Sequence, residues 1–97
     1  MVTLGELKAH LRIDHDDEDG HLTLLLSMAK AAAEDFCLRS FKADAPGQPP
    51  EAVRLAVLLH ASHFYTNREN NELVAYQAMT QAFQSLLWPY RDLEKLV

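Results

Sequence analysis

The chain has 97 residues, of which 48% are hydrophobic and 24% are charged, and its formal net charge at pH 7 is -5. A chain of this length fits one small domain, and this hydrophobic fraction excludes an intrinsically disordered protein. The acidic balance disfavours a protein that coats DNA, because such proteins present a basic face to the phosphates.

The single cysteine, Cys37, has no partner for an internal disulfide, which favours a reducing compartment. The N-terminus has no basic segment followed by an apolar one, so we expect no secretory signal peptide. No apolar run approaches the roughly 20 residues that are needed to cross a bilayer. These features predict a protein of the cytoplasm.

Two amphipathic helices are predicted in the first 40 residues. Thr3 and Glu6 have the spacing of a capping box, so a short first helix follows Thr3 and is expected to end near Leu11 or Arg12. A longer second helix is predicted from apolar residues at helical spacing on one stripe. That stripe comprises Leu22, Leu25, Leu26, Ala29, Ala32, Ala33 and Phe36. A neighbouring apolar strip comprises Leu24, Met28 and Ala31.

The segment 41–50 contains three prolines and a glycine and is predicted to be a loop. Pro50 suits the first turn of a third helix, where its missing N–H costs nothing, and that helix is expected to run to about Asn67. Apolar residues surround most of this helix, which predicts a central position or coverage by another subunit. One of its faces comprises Val53, Ala56, Val57, His60, Ala61 and Phe64.

A polar, asparagine-rich loop is predicted at 67–72, with a fourth helix after it. The apolar residues at helical spacing there are Tyr76, Met79, Ala82, Phe83, Leu86 and Leu87. Pro89 disfavours helical geometry at Trp88, so we expect an end or a kink at that point, with a further short turn in 90–97. The predicted fold class is all-α. It is a single small domain, 1–97, with a short first helix, two longer central helices, and a fourth helix with a tail.

The stretch 11–22, LRIDHDDEDGHL, places five carboxylates and two histidines around Gly20. A calcium-binding EF-hand loop requires glycine at its sixth position, which assigns the first position to His15 and the last to Leu26. Neither side chain supplies the carboxylate that calcium needs there. The stretch therefore does not predict a calcium site.

A structural role for the same acids is favoured. Asp16 is the expected N-cap of the second helix, and Asp17 and Asp19 are expected in its first turn, beside the positive end of the helix dipole. Such caps stabilise a helix by roughly 0.5–2 kcal/mol. That contribution offsets the loss of about 1 kcal/mol that Gly20 causes inside the first turn.

No arrangement in the sequence predicts catalysis or a bound cofactor. His60 and His63 lie one helical turn apart, but two histidines without a third ligand are more often packing or interface residues than a metal site. Cys37 has no base placed beside it and is expected to be a small buried residue. We therefore expect no enzyme, no metal site and no cofactor.

The run Trp88-Pro89-Tyr90-Arg91 has the residue types that are enriched at interface hot spots. The arginine also has a planar guanidinium that stacks on aromatic rings or pairs bidentately. A hydrophobic cover on the small core is the alternative interpretation. The sequence favours neither one.

Three segments follow one another in a characteristic order along the chain. They are LKAHLRIDHDDEDGHL continued by LLLSMAKAAAEDFC, then PPEAVRLAVLLHASHFYTNRE, then LLWPYRDL. Together they resemble the head–tail connector family of long-tailed bacteriophages and their prophages, which are small head-completion adaptors. In that family a short helix ends in a leucine-arginine-isoleucine-aspartate run, and an acidic cluster and a long helix follow. Asn67, Arg68 and Glu69 close the third helix in the family manner.

The resemblance implies an all-α structural subunit that assembles with copies of itself into a ring at the virion neck. The ring docks beneath the portal protein after DNA packaging, extends the DNA channel, and presents a platform to the next head-closure or tail protein. DNA passes through without sequence-specific binding, no membrane is involved, and the subunit is made in the bacterial host cytoplasm. Arg68, Trp88, Tyr90 and Arg91 are the candidate interface residues.

A small helical DNA-binding or regulatory module is the alternative, because four short helices have room for a helix-turn-helix. A recognition helix is normally basic. The third helix has only Arg54 and Arg68, and the fourth has no basic residue before Arg91. The sequence therefore ranks this alternative second.

Overall fold

Helices account for nearly all of the chain that the structure, a computed structural model, describes: residues 2–41, 50–67 and 72–92. The elements are α1 (Leu4–Leu11), α2 (Asp19–Cys37), α3 (Glu51–Thr66), α4 (Leu73–Leu87) and a short 3₁₀ helix (Trp88–Tyr90). The described residues contain no strand, and the predicted all-α class with four helices is confirmed. Most of the two predicted loops and of the tail, at 42–49, 68–71 and 93–97, lies outside the described residues.

The capping box predicted for α1 is present. The Thr3 hydroxyl accepts a hydrogen bond from the Glu6 N–H at 3.1 Å, and the Glu6 carboxylate accepts one from the Thr3 N–H at 3.0 Å. Two N–H groups at the helix start, which have no partner within the helix, are thereby satisfied. The helix ends as predicted at Leu11, where Arg12 adopts a left-handed conformation with φ 60°.

The start of α2 differs from the prediction. The helix begins at Asp19 with Glu18 as its N-cap residue, and no side chain caps it. Asp16 belongs to a preceding turn, which is closed by a 3.3 Å hydrogen bond from the Asp19 N–H to the Asp16 carbonyl. The prediction of Asp16 as N-cap was therefore wrong, and so was that of Asp17 in the first turn; Asp19 does lie there. The Asp16 carboxylate instead accepts a charge-assisted hydrogen bond from the Lys8 ammonium at 2.7 Å.

α3 is the central helix, as its distribution of apolar residues predicts. It packs against α2 along one side and against α4 along another, while α1 contacts both α2 and α3. Small residues at these contacts, such as Ala29 and Ala33 on α2, shorten the distance between helix axes. The buried apolar core comprises Leu7, Leu22, Leu25, Ala29, Ala33, Cys37, Phe41, Val53, Ala56, Val57, Ala61, Phe83 and Leu87.

Prolines lie at the start of α3 and at the end of α4. Pro50 is the N-cap residue of α3, one position before the first turn in which it was predicted, and Asn67 follows the last residue. α4 gives way at Trp88 to a 3₁₀ turn that contains Pro89, as predicted. None of the described helices combines the length and the apolar character that a membrane span requires.

Candidate assembly surface

The C-terminal corner, residues 88–92, is fastened to the end of α2. Arg91 donates a hydrogen bond from Nε to the Phe36 carbonyl at 2.7 Å, and the Asp92 N–H donates to the Cys37 carbonyl at the same distance. The last turn of α2 contains no basic residue of its own. Arg91 therefore supplies the positive charge that a helix C-terminus favours, from more than 50 residues farther along the chain.

The Arg91 guanidinium also lies over two aromatic rings. Its central carbon is 4.6 Å from the centroid of the Phe36 ring and 5.3 Å from that of Trp88. Tyr90 packs against the core from the side. Trp88, in contrast, stays 58% exposed although its position is fixed by Phe36 and Arg91. Tyr90 and Arg91 thus have intramolecular contacts, and Trp88 presents an aromatic surface to solvent.

α4 has a surface without charge. Its 15 residues, LVAYQAMTQAFQSLL, include no acidic and no basic side chain. Phe83 and Leu87 are buried, whereas Val74 is 73% exposed. The exposed residues on the side opposite Phe83, continued by Trp88, are here called the α4 face: Val74, Gln77, Ala78, Gln81, Ser85 and Trp88. Because the solvated side of a surface helix normally has charged residues, this composition indicates a contact surface.

The acidic cluster is connected to α1 by Lys8. The Lys8 ammonium lies 2.7 Å from Oδ1 of Asp16 and 2.9 Å from Oδ1 of Asp19. Hydrogen bonds to Asp16 and then Asp19 raise the pKa of Lys8, and the bond from Lys8 lowers the pKa of Asp16. Within the described residues, no group of three or more acids, histidines and cysteines is placed to hold a metal ion. Through Lys8, the acidic cluster connects the last turn of α1 to the start of α2.

His60 and His63 pack among aromatic rings. The centroid of the His60 ring lies 4.9 Å from that of Phe64 and 5.2 Å from that of Phe83, and His63 is buried. Burial, with a smaller contribution from His63, lowers the pKa of His60. Nδ1 of His60 is buried and has no hydrogen-bond partner among the described residues. The packing role predicted for the pair is present.

Cys37 is a fully buried residue, as predicted. Its thiol lies 3.7 Å from the Leu87 carbonyl, to which it donates a weak hydrogen bond. Burial raises the pKa of the Cys37 thiol. A thiol that is held protonated in the core is a poor nucleophile, so its contribution is to packing.

A family model for phage gp6-like head-tail connector proteins matches residues 1–93. The chain belongs to this family. No curated protein and no solved structure matches it. Members of the family are structural proteins of the phage neck, where head and tail join.

The predicted interface residues divide into three groups. Trp88 is exposed and belongs to the α4 face, whereas Tyr90 and Arg91 are held in intramolecular contacts. Arg68 lies outside the described residues. Two features were not predicted from the sequence: the ion pairs of Lys8 with Asp16 and Asp19, and the α4 face. The second could have been predicted, because residues 73–90 are the longest uncharged run of the chain.

Proposed function

We propose that the connector subunit forms a ring with copies of itself beneath the portal protein, extends the DNA channel, and presents a platform to the next head-closure or tail protein. The match of the connector family to residues 1–93 carries this proposal, because the family pattern uses nearly the whole chain. The ring is made in the host cytoplasm and is incorporated at the neck once the head has been filled with DNA.

Two physical properties support this function. The net charge of -5 suits a channel wall along which DNA slides without sticking, since like charges repel. Arg54 is the single lysine or arginine in α3, and it is paired with Glu6 and Glu51. α4 has no charge at all. These two helices thus offer no basic recognition surface, which disfavours the alternative of a DNA-binding module.

The test uses the full chain and the portal protein from the same phage genome. Size-exclusion chromatography with light scattering is performed on the connector alone over a concentration series, and then with the portal added. We expect a complex in which each portal ring carries several connector subunits. A portal from an unrelated phage is the control for non-specific adhesion. A connector that stays monomeric at every concentration and ignores its own portal contradicts the proposed function.

A further inference from the structure

A second surface without charged residues lies on the part of α2 that precedes the exposed Asp35. Thr23, Leu24, Ser27, Met28 and Ala31 are exposed, and together they are here called the α2 face. Leu24 is 57% exposed and Met28 is 46% exposed, although both are large apolar residues. They lie on the side of the helix opposite the buried stripe that contains Leu25 and Ala29.

The α2 face and the α4 face point to different sides of the molecule. α3 lies between α2 and α4 and packs extensively against both, while α2 and α4 contact each other much less. The residues that α4 buries, Phe83 and Leu87, are opposite the α4 face. Each face therefore points away from the central helix, in its own direction. One subunit can use both faces at the same time.

The two faces differ in the size of the side chains that they expose. The α4 face has the short side chains of Ala78 and Ser85, with the flexible Gln77 and Gln81 beside them and the larger Val74 and Trp88 at its ends. A shallow depression beside Trp88 is lined by Gln84 and Ser85. The α2 face instead presents protruding side chains, Leu24 and Met28. Its residues 23–31 extend about 13 Å along the helix, within the roughly 22 Å of α4.

Electrostatics favour a second copy of this chain as the occupant. Each copy has a net charge of -5, so two copies repel one another over most of their surfaces. A contact between two charge-free faces avoids both that repulsion and the burial of an unpaired charge. A strongly charged partner gains nothing from either face, because neither offers an opposite charge.

We propose that the α4 face of one connector subunit packs against the α2 face of the next subunit. This inference rests on the proposed function, since it assigns the contact between neighbours in the ring. The contact is head-to-tail: one subunit uses α4, its neighbour uses α2, and the remaining faces are free to repeat it. A rotation that closes on itself then generates the ring.

The test introduces one charge into each face and then combines them. Ala78→Glu places a carboxylate in the middle of the α4 face, and the matched control Ala9→Glu makes the same change at an exposed alanine of α1. Circular dichroism establishes that each variant is folded. We expect Ala78→Glu to weaken assembly on the portal by at least about tenfold, because the carboxylate is buried against Leu24 and Met28 without a partner. Ala9→Glu is expected to assemble like the wild type.

Combining Ala78→Glu with Met28→Lys in one chain gives the decisive result. The lysine of one subunit then meets the glutamate of the next, and assembly is expected to recover by at least about tenfold relative to Ala78→Glu alone. Assembly of Ala78→Glu at the wild-type level overturns the contact and leaves the ring standing. The contact is also overturned if Met28→Lys fails to restore the assembly that Ala78→Glu weakens. The same holds if the Ala78→Glu ring assembles normally and fails only to bind the next neck protein. A wild-type chain that never assembles on its portal overturns the ring and the contact with it.

Discussion

Arg91 connects the C-terminal corner to α2, and replacing it should destabilise the whole fold. Arg91→Met removes the 2.7 Å hydrogen bond to the Phe36 carbonyl and the stacking on the Phe36 and Trp88 rings. A hydrogen bond from a charged group contributes about 1.5–3 kcal/mol, and a cation–π contact about 0.5–1 kcal/mol. These contributions overlap, and methionine retains much of the aliphatic packing. We therefore expect the free energy of unfolding to fall by about 2 kcal/mol in total.

Urea unfolding measures this change by two signals. Circular dichroism follows the helices, and fluorescence follows Trp88, the only tryptophan of the chain, which lies beside Arg91. For a domain of this size, 1 kcal/mol corresponds to about 4–8 °C in Tm, so Tm should fall by roughly 8–16 °C. Arg39→Met is the control. Its guanidinium lies 5.1 Å from the Phe41 ring centroid, and we expect a loss of about 1 kcal/mol or less. If Arg91→Met is no more destabilising than Arg39→Met, the account of this corner is refuted.

Two further stability predictions concern the end of α1 and the buried histidine. Arg12 has φ 60°, a conformation that glycine adopts more readily, so Arg12→Gly should raise the free energy of unfolding by about 0.5–1 kcal/mol. Ala9→Gly, inside the same helix, should lower it by about 1 kcal/mol in the same urea titration, and a destabilising Arg12→Gly contradicts the expectation. Burial lowers the pKa of His60, so the fold is most stable above the ordinary histidine value of 6.5 and loses stability as the pH falls below it. His60→Phe removes this histidine and its unpartnered Nδ1. The urea midpoint should then depend less on pH between pH 7 and 5, and the free energy of unfolding should rise by about 1 kcal/mol. His10→Phe, at an exposed position, is the control and should leave the pH dependence of the midpoint unchanged.

The ends of α1 and α4 and the buried side of α2 could be predicted, because residues close together in the sequence determine them. The spacing of Thr3 and Glu6 determines the start of α1, and Pro89 determines the end of α4. Helical periodicity separates the buried stripe of α2 from its exposed strip, because burial of apolar area is the dominant favourable contribution. In each case the relevant residues lie within one or two helical turns of one another.

The features that were not predicted depend on contacts between different elements. Asp16 is a good N-cap by residue type, but Lys8 on another helix binds its carboxylate and the helix begins three residues later. Arg91, which stays an interface candidate, also binds the end of α2 through the Phe36 carbonyl and ring, and the sequence did not predict this contact. Periodicity and composition do not encode such contacts, because these depend on how the helices are placed in three dimensions.

The most direct test of the connector role is electron microscopy of the full chain bound to its portal. Viewed end-on, the complex is predicted to show an additional closed ring, coaxial with the portal and with an open central channel. In side view the added density should extend the channel at the end of the portal that receives the tail. Density that binds away from the axis, or a portal that is unchanged by a large excess of the chain, would contradict the account.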